Sequence, residues 1–319
     1  MKTSSLLLIL VFSFGLAKAQ DPIFSQFYAN PVYVNPSLNG MSEATRVSTN
    51  YRKQWVNSAT TFSTFSSTIE QQIKNSSSAI GFQFIKDAAG DNVFSTTGFN
   101  FVYSYAFKIN HNWQIRSGIQ AGVAQRSFNS SNLIFEDQLD PRDGVIKSTQ
   151  ERLNNEIIYY PDLSTGVTIM SDKAYFGFAV HHLNRPSISY NSYNDQKKEL
   201  LNHKYTLHGG LKIASKKSIH DYFSPNIIFQ QQGLSRTFSL GSYFKRKNLT
   251  GGAWYRVNQA VILFFGMELD QFRIGLSTDV PTNNYSNRGL SHEISLAALI
   301  NKKTIGRPKR KELVFCPTF

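Results

Sequence analysis

Long apolar runs, cysteines and acidic residues are all scarce in this chain of 319 residues. Its mean hydropathy is −0.29, whereas a helical membrane protein would show several apolar stretches of about 20 residues. The low hydropathy therefore excludes that class. It does not exclude a membrane β-barrel, because strands that alternate apolar and polar residues average near neutral. The one cysteine, Cys316, cannot form an internal disulfide.

Catalytic signatures are also missing. The chain has no Gly-x-Ser-x-Gly elbow, no phosphate-binding glycine loop and no His-Glu-x-x-His motif. His181 and His182 are adjacent, so on a strand they would face opposite sides and could not bind one metal ion together. His203 and His208 would also fall on opposite faces. We therefore expect no catalytic activity, no metal site and no cofactor.

Basic residues outnumber acidic residues by 34 to 21, which gives a formal net charge of +13. A basic balance can indicate nucleic-acid binding, but no nucleic-acid recognition motif is present. In an exported chain the excess charge indicates contact with anionic lipid headgroups or with acidic partners. We therefore expect membrane lipid and proteins, and no nucleic acid, among the partners.

The first 19 residues have the pattern of a secretory signal peptide. Lys2 provides a short positive region, residues 6–14 form a short apolar core, and Ala-Lys-Ala at 17–19 fits the small-x-small cleavage rule. Cleavage after Ala19 would leave Gln20 as the first mature residue. An uncleaved anchor is the alternative. No cysteine follows the cleavage site, so a lipid-modified N-terminus is excluded.

Most of the remaining chain consists of short segments in which apolar and polar residues alternate between polar turns. The clearest segment has an aromatic face made of Phe99, Phe101, Tyr103, Tyr105 and Phe107. A soluble β-sandwich would bury this face in a shared core, whereas a barrel turns it toward lipid and turns the polar face toward the lumen. Roughly fourteen such segments between residues 44 and 300 predict an all-β fold, a transmembrane outer-membrane β-barrel of antiparallel strands.

Basic residues on the polar faces must line the lumen of such a barrel, because an arginine facing lipid costs about 2–4 kcal/mol at mid-membrane. The predicted lumen-facing basic residues are Lys108, Arg116, Arg126, Lys204, Lys212, Lys245 and Arg273. They indicate either an anion-selective pore or basic cradle, or pairing with acids such as Asp279 and Glu293. Residues 261–265 are apolar on both faces, which indicates inward packing against a plug or against neighbouring side chains.

Loop lengths predict the orientation of the barrel. Three long polar stretches, 127–161, 185–202 and 281–289, predict extracellular loops, and short turns at His111 and Asp172 predict the periplasmic side. An even number of strands would place both termini in the periplasm.

Residues 20–43 combine prolines with apolar side chains. The prolines prevent a regular helix or central strand, yet Phe24, Phe27, Tyr28 and Tyr33 need to be covered by something. We predict that this segment packs into the periplasmic mouth of the barrel or onto a partner, with these four residues as candidate partner contacts. A structural plug without partner contact is the alternative.

Residues 301–319 form a basic run with an apolar end. The candidate partner-binding residues are Lys309, Arg310, Phe315 and Phe319. We predict a periplasmic tail that docks onto an acidic component. The alternative is a solvated tail near anionic headgroups.

Five short motifs stand in order along the mature chain. They are QDPIFSQFYANPVYVNPSLNG at 20–40, YRKQW at 51–55, FEDQ at 135–138, SHEIS at 291–295 and CPTF at 316–319. Together they resemble the motifs of the PorP/SprF family of the type IX secretion system in Bacteroidetes. Ser37 departs from the family pattern, in which alanine occupies that position of the opening motif.

This resemblance implies an outer-membrane barrel of the secretion and gliding machinery, which supports surface display of adhesins through protein–protein contacts. The implied partners are a periplasmic ring or peptidoglycan-binding protein and, for some members, a secreted adhesin with a C-terminal sorting domain. A porin-like transport channel is the alternative function. A soluble secreted β-sandwich with an adhesive role is a further alternative.

Overall fold

The computed structural model describes residues 20–58, 61–90, 92–129, 133, 138–140, 144–145, 156–190, 199–215, 221–282 and 287–300. This part of the chain contains one short helix, α1 (Pro31–Val34), and a 3₁₀ turn (Pro36–Leu38). Neither this helix nor any other in the described ranges is long and apolar enough to cross a membrane. The strands are β1 (Thr45–Gln54), β2 (Phe62–Gln72), β3 (Ser78–Ala89), β4 (Phe94–Lys108), β5 (Gln114–Phe128), β6 (Leu139–Asp140), β7 (Gly144–Val145), β8 (Glu156–Met170), β9 (Ala174–His181), β10 (Lys204–Leu211), β11 (Ile213–Ala214), β12 (Tyr222–Gln232), β13 (Ser235–Arg246), β14 (Leu249–Arg256), β15 (Ala260–Leu269), β16 (Phe272–Pro281) and β17 (Ser291–Ile300).

Fourteen of these strands close into an antiparallel barrel, as predicted. The first strand pairs with the last, with Thr45 opposite Ile300. Pairing of β10 with β12 completes the ring, and the short β11 extends β10 along β12. Strands β6 and β7 form a separate two-stranded hairpin. The wall therefore runs from Thr45 to Ile300.

The predicted alternation of faces is confirmed. On β4, Phe99 is 63% exposed on the outer face, whereas the side chains of Val102 and Ser104 are fully buried on the inner face. The outer face of the neighbouring strands is apolar in the same way. The inner face is mostly polar and buried. Large exposed apolar side chains around a barrel are the surface that lipid covers.

The two ends of the barrel differ. One end, which we call the turn end, carries the short connections at His111 and Asp172 and both Thr45 and Ile300. The other, which we call the loop end, carries the connections 129–155, 182–203 and 282–290. Long loops face the cell exterior in outer-membrane barrels, so we assign the loop end to the extracellular side.

The loop predicted at 127–161 ends earlier in the structure, because residues 156–161 belong to a strand. Strand β8 begins at Glu156 and contains Pro161, a residue that usually ends a strand. Strand β9 pairs with β8 between Thr165 and Met170, so Pro161 lies where β8 has its ladder partner β5 on one side. The Asn184 side chain donates to the Pro161 carbonyl at 2.7 Å. A proline is tolerated there because no ladder hydrogen bond to β9 is lost.

A charge in the middle of the outer face tests the lipid-facing assignment. We expect Leu263→Arg, on the outer face of β15, to lower the free energy of unfolding in lipid by about 2–4 kcal/mol. Leu234→Arg is the control, because Leu234 is 88% exposed in the β12–β13 turn. Urea titrations in liposomes measure both, and equal effects of the two substitutions would contradict the assignment.

Candidate functional site

Residues 20–40, which we call the lumen plug, lie inside the barrel and fill it. From residue 24 to residue 40 every side chain is buried except that of Tyr33, which is half-buried. The prolines explain the irregular path. Pro31 occupies the first turn of α1, where its missing N–H costs nothing. Asn35 caps the 3₁₀ turn by accepting from the Ser37 N–H at 2.9 Å.

Asp21 fastens the lumen plug at the loop end. Its backbone N–H donates to the Gln232 side chain at 2.8 Å, and its carboxylate lies 2.9 Å from His182 Nε2 and 3.4 Å from Lys204 Nζ. His182 Nδ1 lies 2.9 Å from Asp162. Burial lowers the pKa of His182, but the carboxylates of Asp21 and Asp162 outweigh burial and raise that pKa to about 10. The imidazolium therefore bridges two carboxylates at neutral pH.

A buried cluster of two arginines and two acids holds Ser25. The Ser25 hydroxyl donates to Asp279 at 2.6 Å, and its backbone N–H donates to Glu293 at 2.7 Å. Arg52 donates to the same hydroxyl at 2.6 Å and to Asp279 at 2.7 Å. Arg256 donates to these two groups at 3.0 and 3.2 Å. Since unpaired buried charge is costly, the balance of two cations and two anions is what allows this cluster to exist inside the wall.

An aromatic cluster receives the middle of the lumen plug. The ring of Phe27 lies 4.9 Å from that of Trp254, and the ring of Tyr28 lies 5.8 Å from that of Tyr175. The hydroxyls of Tyr28 and Tyr175 are hydrogen-bonded to each other. The wall residues of this cluster include Tyr175, Ile228, Tyr243, Trp254, Ile262 and Phe264. The inward packing predicted for residues 261–265 is thereby confirmed.

Arg116 and Glu70 hold the lumen plug at the turn end. Arg116 donates to the Ser37 carbonyl at 3.2 Å, and the Gly40 N–H donates to Glu70 at 2.7 Å. Glu70 also pairs with Arg46 at 2.7 Å. The lumen plug thus has polar anchors near both ends, with the aromatic contacts of Phe27 and Tyr28 between them.

Glycines in the wall leave room for the lumen plug. A Cβ atom on Gly118 would lie 2.4 Å from the backbone carbonyl carbon and oxygen of Pro36. One on Gly166 would lie 2.0 Å from the Asn35 amide oxygen. Gly81 and Gly275 approach plug side chains in the same way. Any larger residue at these four positions would collide with the lumen plug, so the wall is shaped around it.

The lumen plug runs the whole length of the lumen, which corrects the predicted position of residues 20–43 at the periplasmic mouth. Asp21 contacts residues at or near the loop ends of β9, β10 and β12, whereas Gly40 contacts Glu70 near the turn end of β2. The segment therefore begins at the loop end, the end that we assign to the extracellular side. Nothing in its own residues indicates this direction, because the partners of Asp21 are distant in sequence.

The four candidate partner contacts in this segment lie inside the barrel. Phe24, Phe27 and Tyr28 are buried, and the Tyr33 hydroxyl donates to the Pro22 carbonyl at 2.6 Å. They contact the wall and each other in this arrangement, and a role in binding a partner stays a prediction. The candidates in the tail, Lys309, Arg310, Phe315 and Phe319, lie outside the described residues, as does the predicted signal peptide.

The predicted lumen-facing basic residues are mostly engaged by partners. Arg116 and Lys204 bind the lumen plug. Lys245 and Arg273 both lie near Glu268, at 2.7 and 3.5 Å.

Three further basic residues of that set lie toward the barrel ends. Arg126 lies over the ring of Tyr190 and Lys212 over that of Tyr222, at 5.7 and 5.1 Å from the ring centroids. Lys108 is exposed at the turn end. These contacts favour the pairing alternative over a positively charged pore.

Sequence reasoning missed three central arginines and misjudged one histidine. Arg46, Arg52 and Arg256 are buried on the inner face and pair with Glu70, Asp279 or Glu293. The alternation of β1, in which Arg46 and Arg52 share a face with Ser48 and Asn50, was the signal that could have found two of them.

His181 and His182 do not face opposite sides. His182 has a φ of 59°, which turns the chain after β9, and both rings are buried with centroids 6.4 Å apart. In the described ranges no group of His, Cys, Asp and Glu is arranged to hold a metal ion.

Displacing the lumen plug without damaging a strand tests its fit. Gly118→Val should push the plug out of place, because the added Cβ would overlap the plug backbone. Gly251→Val is the matched control, since a Cβ there meets nothing within 4 Å. In a Cys316→Ser background, maleimide labelling of Ser37→Cys should rise with Gly118→Val and stay at its basal rate with Gly251→Val. Equal labelling in both variants would show that the plug does not depend on this contact.

The direction of the lumen plug can be measured on intact cells. Gln20 is exposed at the loop end, whereas Ser42 lies past the turn end of the plug. In a Cys316→Ser background, a membrane-impermeant maleimide should label Gln20→Cys from outside and should not label Ser42→Cys until the cells are lysed. The reverse order of labelling would mean that the assigned orientation is incorrect.

Comparison with known proteins identifies the family. Residues 16–298 match the family model described as type IX secretion system membrane protein PorP/SprF. No curated protein matches the sequence.

Three solved outer-membrane barrels are distantly similar. KdgM porin is 7% identical over 79% of this chain and 98% of its own, with a TM-score of 0.39. A FadL homologue of Pseudomonas aeruginosa is 11% identical over 85% and 93%, with a TM-score of 0.45. The toluene transporter TodX of Pseudomonas putida is 8% identical over 88% and 94%, with a TM-score of 0.43.

These structural similarities are too low to inform function, whereas the family match covers most of the chain, including four of the five sequence motifs. The chain is a multi-pass outer-membrane β-barrel and belongs to the PorP/SprF family of type IX secretion system membrane proteins.

Proposed function

We propose that this barrel serves the type IX secretion system as a closed platform that acts through protein–protein contacts at its two ends, without catalysis and without conducting solutes. In this role it would support secretion and surface display of adhesins, and with them gliding motility. The observation that carries the proposal is the lumen plug, which is fastened by Asp21 and Ser25 near the loop end and by Gly40 near the turn end.

A transport channel needs a lumen that solutes can enter. Porins of similar strand number keep an aqueous channel. In this barrel the lumen plug, residues 20–40, occupies that space. The anchors of the lumen plug are buried ion pairs and hydrogen bonds to charged groups, which are the strong class of polar contact. A closed lumen favours contact at the rims over conduction.

The turn end offers a basic surface to a periplasmic partner. Its exposed basic residues in the described ranges are Lys74, Lys108, Lys173, Arg246 and Lys247, and its exposed acids are Glu43, Asp172 and Asp270. The predicted tail, residues 301–319, would add six lysines and arginines and one glutamate on the same side. An excess of positive charge supports docking of an acidic secretion-system component and should speed its association.

Reversing charge at the turn end tests this contact. The triple variant Lys74→Glu, Lys173→Glu, Lys247→Glu should recover several-fold less of the periplasmic secretion components in affinity purification from native membranes. Arg185→Glu, which changes an exposed charge at the loop end, should recover the wild-type amount. The proposal fails if both variants retain every periplasmic component.

Conductance separates the platform from the channel. In planar bilayers the wild-type barrel should show no steady open state, and a variant lacking residues 21–40 should conduct, because fourteen strands enclose a wide polar lumen. Heat-modifiable gel migration checks that the deletion variant still forms a barrel. A steady open pore in the wild-type protein would favour the transport channel instead.

A further inference from the structure

Two lysines lie on the outer face of the wall near its loop end, on β1 and β3. Along β1 and β3 the lipid-facing side chains change from apolar to basic near the extracellular boundary. Lys53 lies two positions beyond Tyr51 on β1, and Lys86 lies two positions beyond Phe84 on β3. Both lysines are exposed. At the turn end of the same wall, the outward positions are Thr45, Gln71 and Ile80.

The strand register brings the two lysines together. Lys53 lies opposite Ser63 on β2, and Lys86 lies opposite Phe65, two residues further along the same strand. Two strand spacings and one two-residue step separate their Cα atoms by about 12 Å. Lysine side chains of about 6 Å can close that gap from both sides, so the two ammonium groups can reach one bulky anionic headgroup.

Further cationic or donor groups border this pair. His292 on β17 lies opposite Lys53 and is exposed, with its Nδ1 3.1 Å from the Thr278 hydroxyl. The Arg288 guanidinium lies 4.4 Å from the ring centroid of Trp55 in the adjoining loops. The loops 55–61 and 282–290 contain no aspartate or glutamate. In the described part of the chain, neither Lys53 nor Lys86 has a carboxylate within ion-pair distance.

An aromatic belt lies directly beneath the lysines. Tyr51 is opposite Phe65, and the rings of Phe65 and Phe84 are 6.0 Å apart. Aromatic side chains mark the depth at which acyl chains meet headgroups in outer-membrane barrels. Lysines just beyond such a belt therefore face headgroups rather than acyl chains or bulk water.

From this arrangement we propose that Lys53 and Lys86, with His292 at their edge, form a binding site for the phosphate groups of an outer-leaflet glycolipid of the lipid A type. The aromatic belt contacts the acyl chains, and the ammonium groups pair with phosphate as point charges. The site is separate from the lumen plug and from the turn end, and it holds whether or not the proposed function is correct.

Lipid binding to the purified protein tests the proposal. Native mass spectrometry in detergent, with bis-phosphorylated lipid A added, should show bound lipid on the wild-type barrel. The double variant Lys53→Ala, Lys86→Ala should bind roughly thirtyfold more weakly, since each of the two lysines near a charged surface contributes about 1 kcal/mol. Lys53→Arg, Lys86→Arg should retain binding because the charge is kept. Arg236→Ala is the matched control, an exposed basic residue at the loop end of β13 on another part of the wall.

Three results would overturn the site. The first is equal binding by the double alanine variant, provided that its heat-modifiable migration shows an intact barrel. The second is equal binding of lipid A from which both phosphates have been removed. The third is stabilisation of the wild-type barrel by inorganic phosphate alone to the same extent as by lipid A, which would indicate a general anion site and not a lipid site.

Discussion

A fourteen-stranded barrel encloses more space than its own inward side chains can fill, and this constraint shapes the rest of the molecule. About eight strands are the limit for a wall that fills itself. Here the space is taken by residues 20–40, and the wall is built for them. Gly118 and Gly166 lack side chains at the positions where the plug backbone or Asn35 approaches the wall. Inward aromatic residues such as Trp254 pack against Phe27 on another part of the wall.

Filling a lumen with a polar segment creates a problem of buried charge. Each ion removed from water carries a penalty of several kcal/mol that its partners must offset. The cluster around Ser25 meets this requirement with two arginines and two acids contributed by β1, β14, β16 and β17. Such a network favours one placement of the segment, because a shift by one residue would break the hydrogen bonds that Ser25 makes to Asp279 and Glu293. The polar lumen therefore contributes specificity of position more than overall stability.

The strands that form the wall of this barrel could be predicted from the sequence, whereas the position and the contacts of the lumen plug could not. The two faces of β4 can be read from the alternation between Phe99 and Phe107. A barrel strand has lipid on one face and the lumen on the other, so its apolar and polar residues alternate with a period of two. The plug has no such signal. The partners of Ser25 include Glu293, 268 positions away, and the role of His182 depends on a left-handed backbone at that residue. Pro161 was likewise misjudged, because whether a proline is tolerated depends on which neighbour a strand lacks. The family motifs marked the plug and parts of β1 and β17 as special without indicating that they touch.

The pairing of β1 with β17 carries a consequence for how the molecule is made. The lumen plug is held by side chains of the last strand, so it cannot reach its final position until that strand has been synthesised. Burial of the lumen plug and closure of the ring both depend on contacts that are very distant in sequence, which predicts slow folding. A chain truncated before residue 291 would lack β17, the strand that closes the barrel against β1, and Glu293, which accepts the hydrogen bond from the Ser25 N–H.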